Sequence, residues 1–298
     1  MFQRLTGILT ALLAVGPTAV HAAPAQKATA APGQDATRDR LAFVLLREPT
    51  MPSGKSVLAA FQRIAPKGKA PALKLAPGDS GSSAELVMFD VGDEGRLIVG
   101  LLPSPVPKQE AEGHAERSLA SVDAGWKLPP HRAHLLVMWQ QSAKLRPLDG
   151  VRHYTWLLAA VADAAKAIGI YWADSGATHP AEYFVEVARR GDSPLLVTLW
   201  SGLSVASDRD HPERMSLVSL GMSQLELPDL ELTVPGGSSK DEALDVFYQF
   251  LQYTITRGAA IPEGDTVGRS AEERLKVRYV RSPVDPGKKV WRVDLPGR

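Results

Sequence analysis

Apolar residues in this chain gather in short runs punctuated by proline and glycine, and the period of those runs changes along the sequence. Leu41-Ala42-Phe43-Val44-Leu45-Leu46 is continuous and apolar, which reads as a buried strand, and Pro49 and Pro52 end it. Ser53 then precedes Val57, Leu58, Phe61 and Ile64 at helical spacing. Residues 72–75, 85–91 and 96–102 read as strands, the last two joined by the hairpin signal Gly92-Asp93-Glu94-Gly95. A polar helix over about 108–122 comes next, and after Pro129-Pro130 a strand over 133–139.

The second half opens on a long amphipathic helix. Asp149 is its expected N-cap, Val151, Tyr154, Leu158, Val161, Ala162, Ala165 and Ile168 keep one face, and Gly169 is the expected terminator. A strand over 170–173 and a helix over 181–190 follow. Residues 195–205 and 215–227 read as strands, with 230–234 as a third. Ser239-Lys240-Asp241-Glu242 is a capping box that starts a helix bearing Leu244, Phe247, Leu251 and Thr254 and ending at Gly258. Two strands, 275–280 and 289–295, close the chain.

This order predicts an α+β fold of antiparallel or mixed sheets with helices packed on one face. Strand, helix, strand, strand, helix, strand in the first part suggests a ferredoxin-like unit. Two such halves, 38–145 and 146–298, are expected to form one compact unit, a single domain over 38–298.

The N-terminus has a different character. Arg4, the apolar run 5–15, Gly16-Pro17 and the small-residue segment Ala19-Val20-His21-Ala22 follow the order of a Sec signal peptide cleaved after Ala22. An apolar run this short falls below the roughly 20 residues a membrane-spanning helix needs. Residues 23–37 are rich in Ala and Pro with almost no large apolar side chain, and read as a flexible leader. The expectation is export into the periplasm or beyond, with no transmembrane segment in the mature chain. With no cysteine, the protein uses neither a disulfide nor an N-terminal lipid anchor through cysteine. With 44% hydrophobic and 22% charged residues, the mature part reads as globular. Formal net charge is +1, from 34 basic and 33 acidic residues, so no global field is available to hold a polyanion, and no nucleic-acid partner is expected. Residues 269–298 carry nine Lys/Arg against four acids, which reads as a solvated strand face.

Each candidate chemistry fails in its context. Gly54-Lys55-Ser56 lies between strand and helix, where a phosphate loop would place it, but Pro49 stands where that loop needs its first glycine and Pro52 removes a backbone donor. Gly78-Asp79-Ser80-Gly81-Ser82 has the look of a protease nucleophile loop, yet no histidine lies between Ala23 and Ser80. Gly221-Met222-Ser223-Gln224-Leu225 lacks the final glycine of a nucleophile elbow, and no histidine follows His211. His131 and His134 are three apart at a strand start, where such positions point to opposite faces. Asp208, Asp210, His211 and Glu213 place oxygen and nitrogen donors together without the spacing of a calcium loop. No catalytic, cofactor or metal residue is assigned and no cofactor is expected. The residues retained as a candidate surface are His134, Tyr171, Trp172, Trp200 and Asp265. The aromatics would line a groove if exposed, and Asp265 sits in the polar turn 263–268.

Five fragments together resemble the domain of unknown function family DUF4261: Ala133-His134-Leu135-Leu136-Val137; Tyr171-Trp172; 194–200 with Leu199-Trp200; Ser219-Leu220-Gly221-Met222 leading to Asp229-Leu230-Glu231; and Gly264-Asp265-Thr266-Val267-Gly268. In order and spacing they span about 41–268. Ser219 departs from an expected threonine and Glu226 from an expected glycine. The resemblance implies no catalytic residue. The functional expectation is a non-catalytic binding or interaction module of the bacterial cell envelope, whose partner is an unidentified envelope protein or polymer. The alternative is a hydrolase-type enzyme whose acid and base come from distant positions.

Overall fold

The computed structural model describes residues 37–297 other than 80, 82, 84, 209 and 210. The segments read as signal peptide and leader, through residue 36, and Ser80, Ser82 and Asp210 of the candidate loops lie outside the described residues. The described chain begins in β1 (Thr37–Leu46), a ten-residue strand, and continues through α1 (Gly54–Ile64), β2 (Leu73–Leu75), β3 (Leu86–Val91) and β4 (Gly95–Leu102). The hairpin between β3 and β4 forms where the glycines predicted it. Gly95, at φ 128°, lies against β5, and a Cβ there would sit 1.9 Å from the Gln140 carbonyl oxygen. Two short helices, α2 (Glu110–Ala115) and α3 (Leu119–Ala124), precede β5 (Ala133–Ser142). The single polar helix expected over 108–122 is thus broken, with a new start at Ser118.

The long helix α4 spans Pro147–Ala165. Pro147 takes its first turn, so Arg146 rather than Asp149 is the N-cap, and Lys166, in the left-handed region at φ 52°, ends it ahead of Gly169. Then come β6 (Gly169–Trp172), β7 (Ala177–Pro180) and α5 (Ala181–Arg189). The apolar run 195–200, expected as a strand, is helical: a 3₁₀ turn over Pro194–Leu196 continues into α6 (Val197–Trp200). Pro194 stands at its first position and the Ser193 hydroxyl accepts from Leu195 N, a helix-starting arrangement. A run buried on every side has no period with which to announce itself. Sheet structure resumes in β8 (Gly202–Ser207) and β9 (Met215–Leu220). Gly221, at φ 98°, stops β9 before residue 227, and a 3₁₀ turn over Met222–Leu225 leads to β10 (Leu230–Val234). The capping box works as predicted, Ser239 Oγ accepting from Glu242 N at the start of α7 (Lys240–Arg257). The chain closes with β11 (Thr266–Val267), β12 (Leu275–Lys276), β13 (Arg278–Arg281) and β14 (Lys289–Asp294).

The α+β class with antiparallel and mixed sheets is what these elements build. A seven-stranded antiparallel sheet runs β2-β3-β4-β5-β1-β6-β7, and a five-stranded sheet runs β13-β14-β10-β9-β8, with β10 and β14 parallel. The first sheet extends across residue 145, taking β6 and β7 from beyond it. The expected ferredoxin-like pairing is replaced by another: β5 inserts between β4 and β1. The reason lies in the connection between β4 and β5, which carries α2 and α3 out to β6 and β7 and then returns. That return delivers β5 to the slot where it pairs with all ten residues of β1.

One core joins the two sheets. Ala42, Val44 and Leu46 of β1, Leu135, Val137 and Trp139 of β5, and the apolar stripes of α1, α4 and α5 pack with Leu230 and Leu232 of β10 and Leu244, Phe247 and Leu251 of α7. The long helices α1, α4 and α5 therefore cover one face of the seven-stranded sheet, called the inner face below.

Candidate functional site

The alternation of β-strand side chains puts every second residue of the seven-stranded sheet on the opposite, outer face. Register aligns these residues in rows. One row crosses the sheet as Leu86, Gly100, Leu136, Phe43 and Tyr171. The next is Met88, Ile98, Met138 and Leu41. On the other side of the first row lie Leu102, His134 and Leu45, and beyond the second runs a polar border of Asp90, Arg96, Gln140 and Asp39. Arg96 Nε donates to Asp90 Oδ1 at 3.1 Å within that border.

Leu41, Phe43, Met88, Ile98, Leu136 and Met138 are half-buried on this face, and Leu86 and Leu102 are exposed at 42% and 38%. Apolar side chains on four adjacent strands thus meet solvent together. Contiguous apolar surface of this kind, with a polar rim, marks a place where another surface docks.

Among the described residues, the segment after β4 and helix α2 cover one corner of the outer face. Val106 and Ala111 pack on Leu45 and Tyr171 there. His134 Nδ1 donates to the Ser104 carbonyl at 2.8 Å, which holds the segment down, and burial pushes the His134 imidazole below its ordinary pKa. His131 Nε2 accepts from Val106 N at 3.0 Å and its Nδ1 lies 3.2 Å from Glu112 Oε1. Phe43 stacks on Tyr171 at 5.5 Å and meets His134 edge-on at 5.5 Å, while the His114 ring lies 4.9 Å from Tyr171. His134 and Tyr171 are therefore brought together, on either side of Phe43, at the margin of the open apolar area.

The other candidate residues lie elsewhere. Trp172 and Trp200 are in the core, at 0% and 2% exposure, so neither lines an open groove. Trp200 Nε1 donates to Thr155 Oγ1 at 2.9 Å, and Trp172 packs edge-on against Tyr154. Asp265 is exposed in the turn before β11, where its backbone carbonyl accepts from Val277 N at 2.8 Å. Sequence reasoning missed the residues that form the outer face, having read them as strand core. A signal was present: β3 and β4 carry large apolar side chains at both parities, whereas an antiparallel strand with one solvated face alternates apolar with polar.

Several polar clusters resolve into structural roles. Ser118 Oγ lies 3.1 Å from His179 Nδ1, and His179 Nε2 donates to the Leu199 carbonyl at 3.2 Å. Both side chains are fully buried, so this serine-histidine contact is closed to a substrate, and burial drives the imidazole down to about 4. Arg292 binds Asp208, lies 3.5 Å from Glu231 Oε1, and donates to Asp294 Oδ1 at 2.8 Å, while Ser216 Oγ donates to Glu231 at 2.6 Å. This network ties β9, β10 and β14 to the loop that follows β8. Burial pushes the Glu231 carboxyl up, against the pull of Ser216 and Arg292. Asp208 of the acidic loop is thereby engaged with an arginine, and His211 and Glu213 of that loop are exposed. Among the described residues, no group of three or more His, Cys, Asp or Glu side chains is placed to hold a metal ion.

Arg40, buried beneath α4, donates from Nε to Gln141 Oε1 at 2.6 Å and lies 3.7 Å from Asp174. Burial lowers its pKa to about 10. The loop of the Gly54-Lys55-Ser56 motif spends its donors locally, Gly54 N on the Gly81 carbonyl and Ser56 N on Ser53 Oγ. On the basic C-terminal strands, Arg281 faces Lys289 across the β13–β14 pair at the edge of the second sheet. Like charges there suit an edge that must not pair with another strand.

Two packed sheets with a helix-covered core and one half-exposed apolar sheet face define an α+β protein. Residues 218–294, from β9 to the end of β14, match the model of the family described as a domain of unknown function, DUF4261. This is the family that the fragments resemble. The match lies on the second sheet and α7, while the fragments at Ala133–Val137, Tyr171–Trp172 and Leu199–Trp200 lie before it. No curated protein and no solved structure matches this chain.

Proposed function

We propose that this protein is a non-catalytic interaction module of the bacterial cell envelope that docks through the outer face of its seven-stranded sheet. The observation that carries the reading is the open apolar area of Leu41, Phe43, Leu86, Met88, Ile98, Leu102, Leu136 and Met138 across four adjacent strands. Exposing such an area costs solubility, so it is kept where a partner covers it. Envelope placement rests on the signal-peptide pattern of residues 1–22. Supporting a binding role over catalysis, the described nucleophile and base in contact, Ser118 and His179, are sealed in the interior.

The test is capture from envelope extract with the full chain and with a Leu136→Asp variant. Leu136 is central on the face, and a charge there desolvates badly under any partner. Partners retained by the parent and lost by the variant are expected. An identical set captured by both would overturn the assignment of the face, and hydrolysis of ester, phosphoester, peptide or glycoside substrates by the full chain would overturn the non-catalytic reading.

A further inference from the structure

We infer that the surface covering the outer face is a second copy of this chain, packed sheet on sheet about a two-fold axis running between β4 and β5. This rests on the docking role of that face and names its partner. The argument starts from Gly100. A glycine inside a strand weakens it, and where one persists another surface often approaches closely. Among the described residues nothing requires it: its φ is outside the left-handed region, and a Cβ would make ordinary contact with Leu86 Cδ1 at 3.7 Å and the Glu85 carbonyl at 3.9 Å. Gly100 is therefore a notch in the apolar row, between Leu86 and Leu136.

The geometry of a two-fold supplies what fills the notch. An isologous contact makes residue i of one copy meet residue j of the other, and j meet i. With the axis parallel to the strands and midway between β4 and β5, each strand faces the one equally far on the other side: β4 faces β5 and β3 faces β1. Rows are preserved by such an axis. Leu136 of each copy then stands over Gly100 of the other, and Leu86 meets Phe43. In the next row Met88 meets Leu41 and Ile98 meets Met138. Large side chains fill the apolar rows, and the single notch lies opposite a leucine. The polar row of Asp90, Arg96, Gln140 and Asp39 falls at the rim, where water and salt screen its charges.

Size sets how tightly this occupant binds. Four strands about 4.8 Å apart and four rows about 6.8 Å apart make a patch of roughly 500 Å² in projection. A standard interface removes about 800 Å² of accessible surface from each partner. The face, bordered by the exposed Pro103, Ser104 and Pro105, is smaller than that, which is the size of a weak, concentration-dependent contact. Twisted sheets of the same hand stack face to face about 10 Å apart, interleaving their side chains, and a second copy presents the required twist.

The experiment is sedimentation velocity on the full chain from micromolar to hundred-micromolar concentration, with Gly100→Leu, Leu136→Ala and the double variant. The expected result is a concentration-dependent dimer that Gly100→Leu weakens tenfold or more while leaving the thermal transition of the monomer unchanged or raised. The double variant, which moves the knob to β4 and opens the notch on β5, restores dimerisation. A dimer indifferent to Gly100→Leu would overturn the proposal, as would a chain that stays monomeric throughout. If the chain is monomeric yet Leu136→Asp still loses captured partners, the docking face stands with a different occupant. If capture is also unchanged, both readings fall.

Discussion

The two faces of the seven-stranded sheet are built from the same strands and end in opposite states. On the inner face Val44, Val137, Trp139 and Trp172 are fully buried beneath α4 and α5. On the outer face their sequence neighbours Phe43, Leu136 and Met138 are only half-buried. Residue type does not separate the two, since both are apolar. What separates them, among the described residues, is what the chain lays on top: long amphipathic helices on one side, and on the other a short segment over the corner around His134, Leu45 and Tyr171. Burial in a sheet is decided by its cover, and apolar composition alone does not tell the covered face from the half-exposed one.

Substitutions on the inner face should give the largest effects. Trp172→Ala removes a fully buried indole packed against Tyr154 and Phe184 and is expected to cost about 3–5 kcal/mol in chemical denaturation. A loss below about 1 kcal/mol would mean that this face is far looser than described.

Acid should reveal the interior next. His179 has a folded pKa of about 4 against an ordinary value of 6.5, because burial disfavours its charged form. Its neutral ring is held at no cost above 6.5. As pH falls from 6.5 towards 4 the unfolded chain takes up a proton that the native chain refuses, so stability declines across that window by up to about 3 kcal/mol. Denaturation midpoints measured across that pH range should decline this way, and His179→Gln should flatten the slope.

A smaller effect is expected at Tyr154, whose hydroxyl donates to the Val137 carbonyl at 2.7 Å in the interior. Tyr154→Phe keeps the ring and removes the bond, for an expected loss of about 1–2 kcal/mol in the same denaturation measurement. Smallest of all is Leu86→Thr on the outer face, exposed at 42% and lying in a strand that suits threonine. Its unfolding free energy, measured at a concentration where the chain is monomeric, should stay within about 0.5 kcal/mol of the parent. A large loss there would erase the contrast between the faces, because it would show the outer face to be packed within the protomer.

Much of the architecture was legible in the sequence wherever a local signal sufficed. The β3–β4 hairpin announced itself through its glycines, and α7 through Ser239 and Glu242. The apolar stripe from Val151 to Ala162 gave α4, although Pro147 moved its start. Failures came where the deciding information was faint or non-local. The run from Leu195 to Trp200 is buried along its whole length and shows no period, so the Ser193-Pro194 helix start just before it was the one local signal and was not read. The insertion of β5 beside β1 depends on a connection that travels to β7 and back, which no window of residues encodes. For the candidate site, His134 and Tyr171 were singled out and do lie on one face. Their true neighbourhood, Phe43, Leu136 and Gly100, is assembled by register across strands distant in sequence. Trp172 and Trp200 drew notice as aromatics, yet parity and helix cover put them inside.

The position of β1 has a consequence for how the protein comes into being. It is the first described element of the chain and lies inside its larger sheet, flanked by β5 and β6. Its hydrogen-bonding edges have no partner until Ala133–Ser142 has been synthesised, and the second edge waits for Gly169–Trp172. Long-range closure of this kind is slow and leaves the apolar run Leu41–Leu46 without its strand partners in the meantime. Both edges of β1 are therefore paired only once more than half of the chain has been made.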